Sequence, residues 1–423
     1  MAGGLMQLVA YGAQDVYLTG NPEVTFFQAK YKRHTNFAME NIEQTVNGTA
    51  ANSGRVSVTV ARNGDLVGDM YIQLESDEAT TVTTAAADCN WVAERAINNV
   101  ELSIGGQRID KHYQKWWRMY SELYLDESKK ASWGKMTTAG DGKTVYLPLI
   151  FFFNRNPGLY LPLIALQYHE VRLDFDLASN FTTYLNAGVF KVWANYVYLD
   201  TEERRRFAQK GHEYLIEQVQ HTGTDTVTSA GTKQVRLSYN HPVKELVWCF
   251  SNTQTNNGMW NFTTASTDTN IRLESNQLLV AHHNNGSNCF VNTASSGTPM
   301  VLVGKGEGTQ TAFTEEACGH LNTFKLILNG QDRFKEQAGK YFNQVQPYNH
   351  HTGCPYPGIY SYSFALKPEE HQPTGTCNFS RIDNAQVQVV ANTLNNATSL
   401  HMFATNYNVL RIQSGMGGLA FSN

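Results

Sequence analysis

Paired carboxylates are the first place in this sequence where chemistry could reside. Asp174 and Asp176 stand two apart in VRLDFDL (171–177), so on a strand both project from one face. Such a pair can ligate a metal or supply the acid and base of a glycoside hydrolase. Arg172 shares that face, and the plainer reading is a solvated or subunit-facing strand surface. His282-His283 and His350-His351, the latter near Cys354, are the other ligand-rich spots. Adjacent strand residues point to opposite faces, so each pair offers one ligand and no closed metal site is expected. GDGKT (140–144) resembles the end of a phosphate-binding loop, but Thr137 stands where the motif needs its first glycine, and no helical pattern follows. GKGEG (304–308) lacks the strand–turn–helix setting of a dinucleotide site and reads as a loop. Arg204, Arg205 and Arg206 could clasp phosphate, yet Glu202 and Glu203 beside them favour ion pairs on a short helix. No G-x-S-x-G, H-E-x-x-H or catalytic-cysteine signature occurs. The expectation is a protein that is not an enzyme and carries no catalytic residue, metal or cofactor.

Composition narrows the class further. The chain has 423 residues, 41% of them apolar and 12% aromatic, enough to build sizeable cores. With 33 Lys and Arg against 37 Asp and Glu, the net charge is −4, so direct nucleic-acid binding through bulk positive charge is not expected. The longest apolar runs, 147–153 and 159–166, contain proline and fall far short of the ~20 residues of a membrane helix. MAGGLMQLVAYGAQD lacks the basic and apolar regions of a secretory leader, and Gly does not follow Met1 as myristoylation requires. The six cysteines (89, 249, 289, 318, 354, 377) show neither zinc spacing nor a disulfide framework and read as mostly free thiols. Sequons at Asn47, Asn180, Asn261, Asn285, Asn378 and Asn396 are not expected to meet the secretory glycosylation machinery.

The elements that must position these residues are strands. Val56, Val58 and Val60 alternate with Ser57, Thr59 and Ala61, and MYIQL (70–74) follows. Between them RNGD (62–65) predicts a hairpin, because Asn-Gly suits the positive φ of a type I′ turn. Further strands are expected over 171–177, 189–199, 235–239, 324–328, 359–366, 385–390 and 406–412. Helices are expected only over 112–124 (HYQKWWRMYSELY) and 201–209, the latter capped by Thr201 and its acidic neighbours. Residues 76–90, 128–144 and the Asn/Thr/Ser/Gly-rich stretch 251–320 read as surface loops. LSIGGQ (102–107) matches LILNGQ (326–331), and VRLDF (171–175) echoes AQVQV (385–389), which suggests two sandwiches of one kind.

Longer motifs point to a family. GLMQLVAYGAQDVYLTGNP (4–22), YKRHTNF (31–37), IGGQRID (104–110), LPLIFFF (147–153) and ALQYHE (165–170) resemble the major capsid proteins of nucleocytoplasmic large DNA viruses, those of the chlorella viruses in particular. LNGQDRF (328–334), CNFSRIDN (377–384) and NYNVLRI (406–412) continue the resemblance to the far end, and only 251–320 diverges strongly.

The resemblance implies an all-β double jelly roll, two consecutive eight-stranded sandwiches with a few short helices. Its expected parts are an arm (1–24), jelly roll 1 (25–201), a linker with a short helix (202–217) and jelly roll 2 (218–423). It implies a homotrimer whose six wedges make a pseudo-hexagonal capsomer of an icosahedral shell, with interfaces above ~2,000 Å² inside the trimer. Further implied partners are neighbouring capsomers and minor capsid proteins on the inner face, reached by arm residues such as Leu5, Leu8, Tyr11, Val16 and Tyr17. Such a protein belongs to the virion and is made and assembled in the host cytoplasm. Chlorella-virus members carry N-glycans at sites resembling Ala/Gly-Asn-Thr-x-Thr, which makes Asn392 the first candidate here and Asn292 the second. The alternative is a β-sandwich lectin that stacks host cell-surface glycans on Trp260, Tyr356 and Tyr360. A jelly-roll glycoside hydrolase using Asp174 and Asp176 is a remote third.

Overall fold

Val56 and Val58 are buried and Ser57 and Thr59 turn outward, and this period of two recurs through most of the chain. The computed structural model describes residues 3–20, 25–76, 91–139, 144–227, 231–251, 321–353, 355, 358–391 and 398–422. The chain forms two compact units, Met1–Phe37 and Ala38–Asn423. The first holds a short helix, Gly3–Val9, and a 3-10 turn, Asp15–Tyr17, where the Gly12 N–H donates to Asp15 Oδ2 at 2.7 Å.

The second unit contains both sandwiches. In chain order the first is built from β1 (Phe37–Gln44), β2 (Val46–Asn47), β3 (Arg55–Thr59), β4 (Leu66–Ser76), β5 (Ile97–Ile104), β6 (Gln107–Tyr113), β7 (Thr144–Pro148), β8 (Leu161–Pro162), β9 (Val171–Leu177) and β10 (Leu185–Leu199). They make two facing sheets, β1-β10-β4-β7 and β2-β3-β9-β5-β6. After the helix Thr201–Gln209 come β11 (His212–Val227), β12 (Thr232–Leu237), β13 (Pro242–Ser251), β14 (Leu321–Leu328), β15 (Gln331–Asp332), β16 (Gln337–Ala338), β17 (Ile359–Ser363), β18 (Cys377–Asn378), β19 (Ala385–Ala391), β20 (Thr398–Gln413) and β21 (Met416–Leu419). Their sheets are β11-β20-β13-β17 and β12-β19-β14-β15. The two sandwiches therefore repeat one strand order, the double jelly roll.

Each sandwich has its own apolar filling. Val56, Ile72, Leu74, Val100, Leu102, Leu173 and Phe175 meet in the first. Trp248, Phe324, Phe342 and Tyr360 stack in the second, with Trp248 and Phe324 centroids 4.3 Å apart. The matched LSIGGQ and LILNGQ segments occupy equivalent hairpins, β5–β6 and β14–β15. Both turn through consecutive positive φ angles: 58° and 82° at Gly105 and Gly106, 50° and 81° at Asn329 and Gly330.

Three expectations need correction. RNGD (62–65) is not a hairpin, because β3 pairs with β2 and β9 whereas β4 pairs with β10, β7 and β8. It is the corner by which the chain crosses between sheets, and a Cβ on Gly64 would lie 2.8 Å from the Tyr196 side chain. Part of the supposed loop 128–144 is the helix Glu127–Thr137, capped by Asp126, whose carboxylate accepts from the Lys129 N–H at 2.7 Å. Thr201 does not cap its helix: Asp200 holds that position, without a side-chain cap bond.

Candidate functional site

Among the described residues no catalytic constellation is assembled, and the most extensive side-chain network lies where the two sandwiches meet. This is the seam inside the chain. β13 reads PVKELVWCFS and is buried on both faces. Leu246, Trp248 and Phe250 fill the second core, while Val247 and Cys249 join Ile216, Ile359, Phe403, Leu410 and Ile412 in the core of the first sandwich. The outer face of the β11-β20-β13-β17 sheet is thus covered by the first sandwich, through β6 and the helix Gln114–Tyr124. Trp116 of that helix packs 5.9 Å from Phe403, and Tyr113 lies 4.9 Å from His221.

Charged groups are gathered in this seam, with Lys244, Glu217 and Glu245 buried and Arg155 and Glu369 partly exposed. Glu217 on β11 receives Lys244 Nζ at 2.6 Å and Arg155 Nη2 at 2.8 Å. Burial alone would raise the Glu217 carboxyl, but Arg155 and Lys244 outweigh it and hold it below its ordinary value. Burial pushes the Lys244 ammonium down, and Glu217 opposes that push. Beside them, Tyr124 from the first sandwich donates to Glu245 Oε2 at 2.6 Å. His351 bridges Glu245 through Nε2 and Glu369 through Nδ1, the latter at 3.1 Å. Burial works against its charge, yet the two carboxylates raise it to about 9, so the ring is an imidazolium and both nitrogens donate. The Gly353 N–H donates to Leu123 O at 2.9 Å, and a Cβ there would sit 2.7 Å from Leu125 O, so the backbones touch. Elsewhere on the seam Asp110 Oδ1 accepts from the Val219 N–H at 3.0 Å, and Gln107 Oε1 accepts from the Leu419 N–H at 3.1 Å.

Of these residues, sequence reading singles out His351, as half of the His350-His351 pair, and Cys249, as a free thiol. The missed signal is Lys244-Glu245 inside an apolar run: adjacent charges on a strand buried on both sides require partners from a second layer.

The residues singled out by sequence are scattered. Asp174, buried, pairs with Arg172 at 2.9 Å, and the partly exposed Asp176 pairs with Arg55 at 3.2 Å. Arg204 reaches Asp65 at 3.0 Å and Arg205 reaches Glu202 at 3.5 Å, so two of the three arginines are in ion pairs. Tyr360 is fully buried against Trp248 and cannot stack on a sugar, which corrects the lectin reading; Trp260 and Tyr356 lie outside the described residues. Asn292 and Asn392 lie outside them too, as do Cys354, His282 and His283, the glycines of 304–308 and residues 140–143. Cys249 and Cys377 are free thiols. In the arm, Leu5 and Leu8 are on the Gly3–Val9 helix, Val16 and Tyr17 are in the 3-10 turn, and Tyr11 shares a hydrogen bond with Thr19; all five are exposed, Tyr17 by 92%.

Two tandem jelly rolls joined by a buried seam define a double jelly-roll protein. Residues 203–418 match the family described as large eukaryotic DNA virus major capsid protein, and residues 25–200 match the major capsid protein N-terminus. The chain belongs to this family of capsid proteins: it is a structural protein of the virion shell of a large DNA virus and not an enzyme. It is 44% identical to the major capsid protein of Paramecium bursaria Chlorella virus 1 and 41% identical to that of Phaeocystis pouchetii virus, in each case over all of both chains. Its structure resembles PBCV-1 VP54, solved by crystallography and fitted into a reconstruction of the virophage Sputnik, with TM-score 0.73 and 39% identity over 94% of this chain and 100% of that one. The Faustovirus major capsid protein shares the fold at TM-score 0.68 with 13% identity, over 97% of this chain and 96% of that one.

Proposed function

We propose that the chain builds its shell as a homotrimer in which six sandwiches close a pseudo-hexagonal capsomer. One observation supports this reading: of two equivalent sheet faces, one is covered and, among the described residues, the other is not. The outer face of β11-β20-β13-β17 is buried against the first sandwich. The same face of β1-β10-β4-β7 presents Asp69, Tyr71, Gln73, Tyr146, Lys191 and Trp193, all exposed or half-exposed. Tyr71 and Tyr146 meet edge to face at 5.8 Å, and the Trp193 indole donates to Gln73 Oε1 at 2.8 Å, an ordered amphipathic platform. If the second sandwich of the next copy covers it, each chain offers one head and one tail, and such a contact closes into a ring. The second sandwich has a surface suited to this contact. Tyr348, in the helical segment after the β14–β15 hairpin, is 87% exposed, and Val345 is exposed beside it.

Several finer parts belong to the same reading. The boundaries are an arm over 1–24, jelly rolls over 25–201 and 218–423 and a linker over 202–217, supported by the nearby limits of the two family matches. Leu5, Leu8, Tyr11, Val16 and Tyr17 contact neighbouring capsomers or minor capsid proteins of the inner face, supported by their exposure. Asn392 and then Asn292 carry N-glycans, which the intact mass of virion-derived protein would register. Synthesis and assembly take place in the host cytoplasm.

Light scattering on the purified protein tests the trimer. The expected mass is three times the 47.4 kDa of one chain. A monomer or dimer at every concentration would overturn it.

A further inference from the structure

The seam carries a second cluster of titratable groups, away from the Glu217 network, that no part of shell building accounts for. His221 on β11 and His401 on β20 stack with ring centroids 6.0 Å apart and planes 19° from parallel. Phe403 lies 4.4 Å from His221, and Tyr113 of the first sandwich lies 4.9 Å from it on another side. His401 Nε2 shares a hydrogen bond with Ser251 Oγ at 2.8 Å, whereas His221 Nε2 is buried without a hydrogen-bond partner. We propose that this imidazole pair is an acid-sensitive latch between the two sandwiches, closed while both rings are neutral and loosened when they take up protons.

The surroundings set the direction. Lys115, from the helix Gln114–Tyr124 of the first sandwich, is the charged group that acts on both rings, and Cys249 from β13 acts on Lys115 in turn. From β6 comes Tyr113, with Arg108, Asp110 and Glu101 acting on its hydroxyl and Lys111 over its ring at 5.5 Å. Among the described residues no carboxylate is one of the groups acting on the imidazoles, so a proton gained there meets a cation and no counter-charge. Burial first, and Lys115 second, hold His221 down to about 4; burial, Lys115 and His221 hold His401 down to about 3.

Both folded values lie below the ordinary 6.5, so the unfolded chain takes up protons first. The stabilisation is present above pH 6.5 and is lost as pH falls through 6.5 toward 4 and below. The carboxylates Glu217 and Glu369, also depressed, weaken only below their ordinary 4.5, which leaves a window for the histidines. His371 is depressed as well and shares that window, so a comparison of variants carries the test.

The latch is a property of one chain and stands apart from the trimer reading. The measurement is hydrogen–deuterium exchange of the full-length protein between pH 7 and pH 4.5, corrected for intrinsic rates and followed in segments 107–113, 212–227 and 398–413. In the wild type the opening constant of these segments should rise by up to about tenfold per pH unit for each histidine. The double variant His221→Phe/His401→Gln keeps the ring contact and an amide toward Ser251, and its acid rise should be smaller by that factor. If it does not fold, Lys115→Met gives a smaller effect of the same sign, since it removes the second cause and leaves burial in place. An acid rise equal to the wild type's in the variant that folds overturns the latch.

Discussion

Glu217 shows how much a single buried charge can hold together. Its partner Lys244 is wholly inaccessible, and its other partner, Arg155, comes from the opposite sandwich. Glu217→Gln would leave two cations in the seam with one counter-charge removed. The expected cost is about 3–5 kcal/mol, the range for breaking a buried pair, read as a lower urea midpoint. A loss below about 1 kcal/mol would mean that water reaches these groups and solvates them. His351 makes a statement of the opposite sign about pH. Its folded value of about 9 lies above the ordinary 6.5, so its contribution is full below pH 6.5 and disappears as pH climbs from there through 9. Thermal midpoints measured from pH 7 to 10 should therefore fall in the wild type. His351→Gln should start lower and fall less; an unchanged alkaline slope would show that the ring does not titrate there.

Elements were legible where one face is apolar and the other polar. β9 and β19 stand close to their expected places because Leu173 and Val387 alternate with outward polar residues. The same rule misplaced RNGD (62–65), since a local signal for positive φ cannot say whether the next strand returns to the same sheet. Glu127–Thr137 was missed because SKKAS offers no apolar stripe; the helix is held by the Asp126 cap and by buried Trp133, whose indole donates to Glu94. The seam was hidden for a different reason. No strand is expected over 242–251, because β13 is buried on both faces and lacks the alternation that marks the others, and an apolar run does not say which layer covers it. The repeated hairpins were readable because backbone geometry demands their residues. Gly106 and Gly330 have φ of 82° and 81°, and a Cβ on either would meet nothing within 4 Å. Valine at either site should therefore cost backbone strain alone, about 1–2 kcal/mol, or about 2–4 °C in thermal midpoint per kcal/mol for domains of this size. Equal losses at the two sites would fit equivalent turns, and a neutral result at Gly330 would mean that its turn relaxes to negative φ.

At the scale of the whole molecule, a shell subunit must be stable alone yet incomplete. The covered sheet face satisfies the first demand with an apolar seam and largely buried ion pairs. In the proposed trimer the uncovered face would serve the second by being amphipathic: Trp193 and Tyr71 offer ring area while Asp69, Gln73 and Lys191 keep it hydrated before a partner arrives. Half-exposed aromatics of this kind concentrate binding energy at the centre of an interface, so truncating one should cost association far more than folding. Trp193→Ala is expected to weaken the trimer by about 2 kcal/mol or more per contact, roughly thirtyfold, and to release monomer at micromolar protein. Tyr348→Ala, on the surface proposed to cover that face, should do the same, and the two together should add less than their sum if the residues meet. Mass by light scattering across a dilution series reads the association, and the thermal midpoint of the monomer checks that the sandwiches stay folded. If Trp193→Ala leaves a trimer that resists dilution as the wild type does, the uncovered face is not the joint. The proposed ring of six sandwiches would then lose the face on which it is argued.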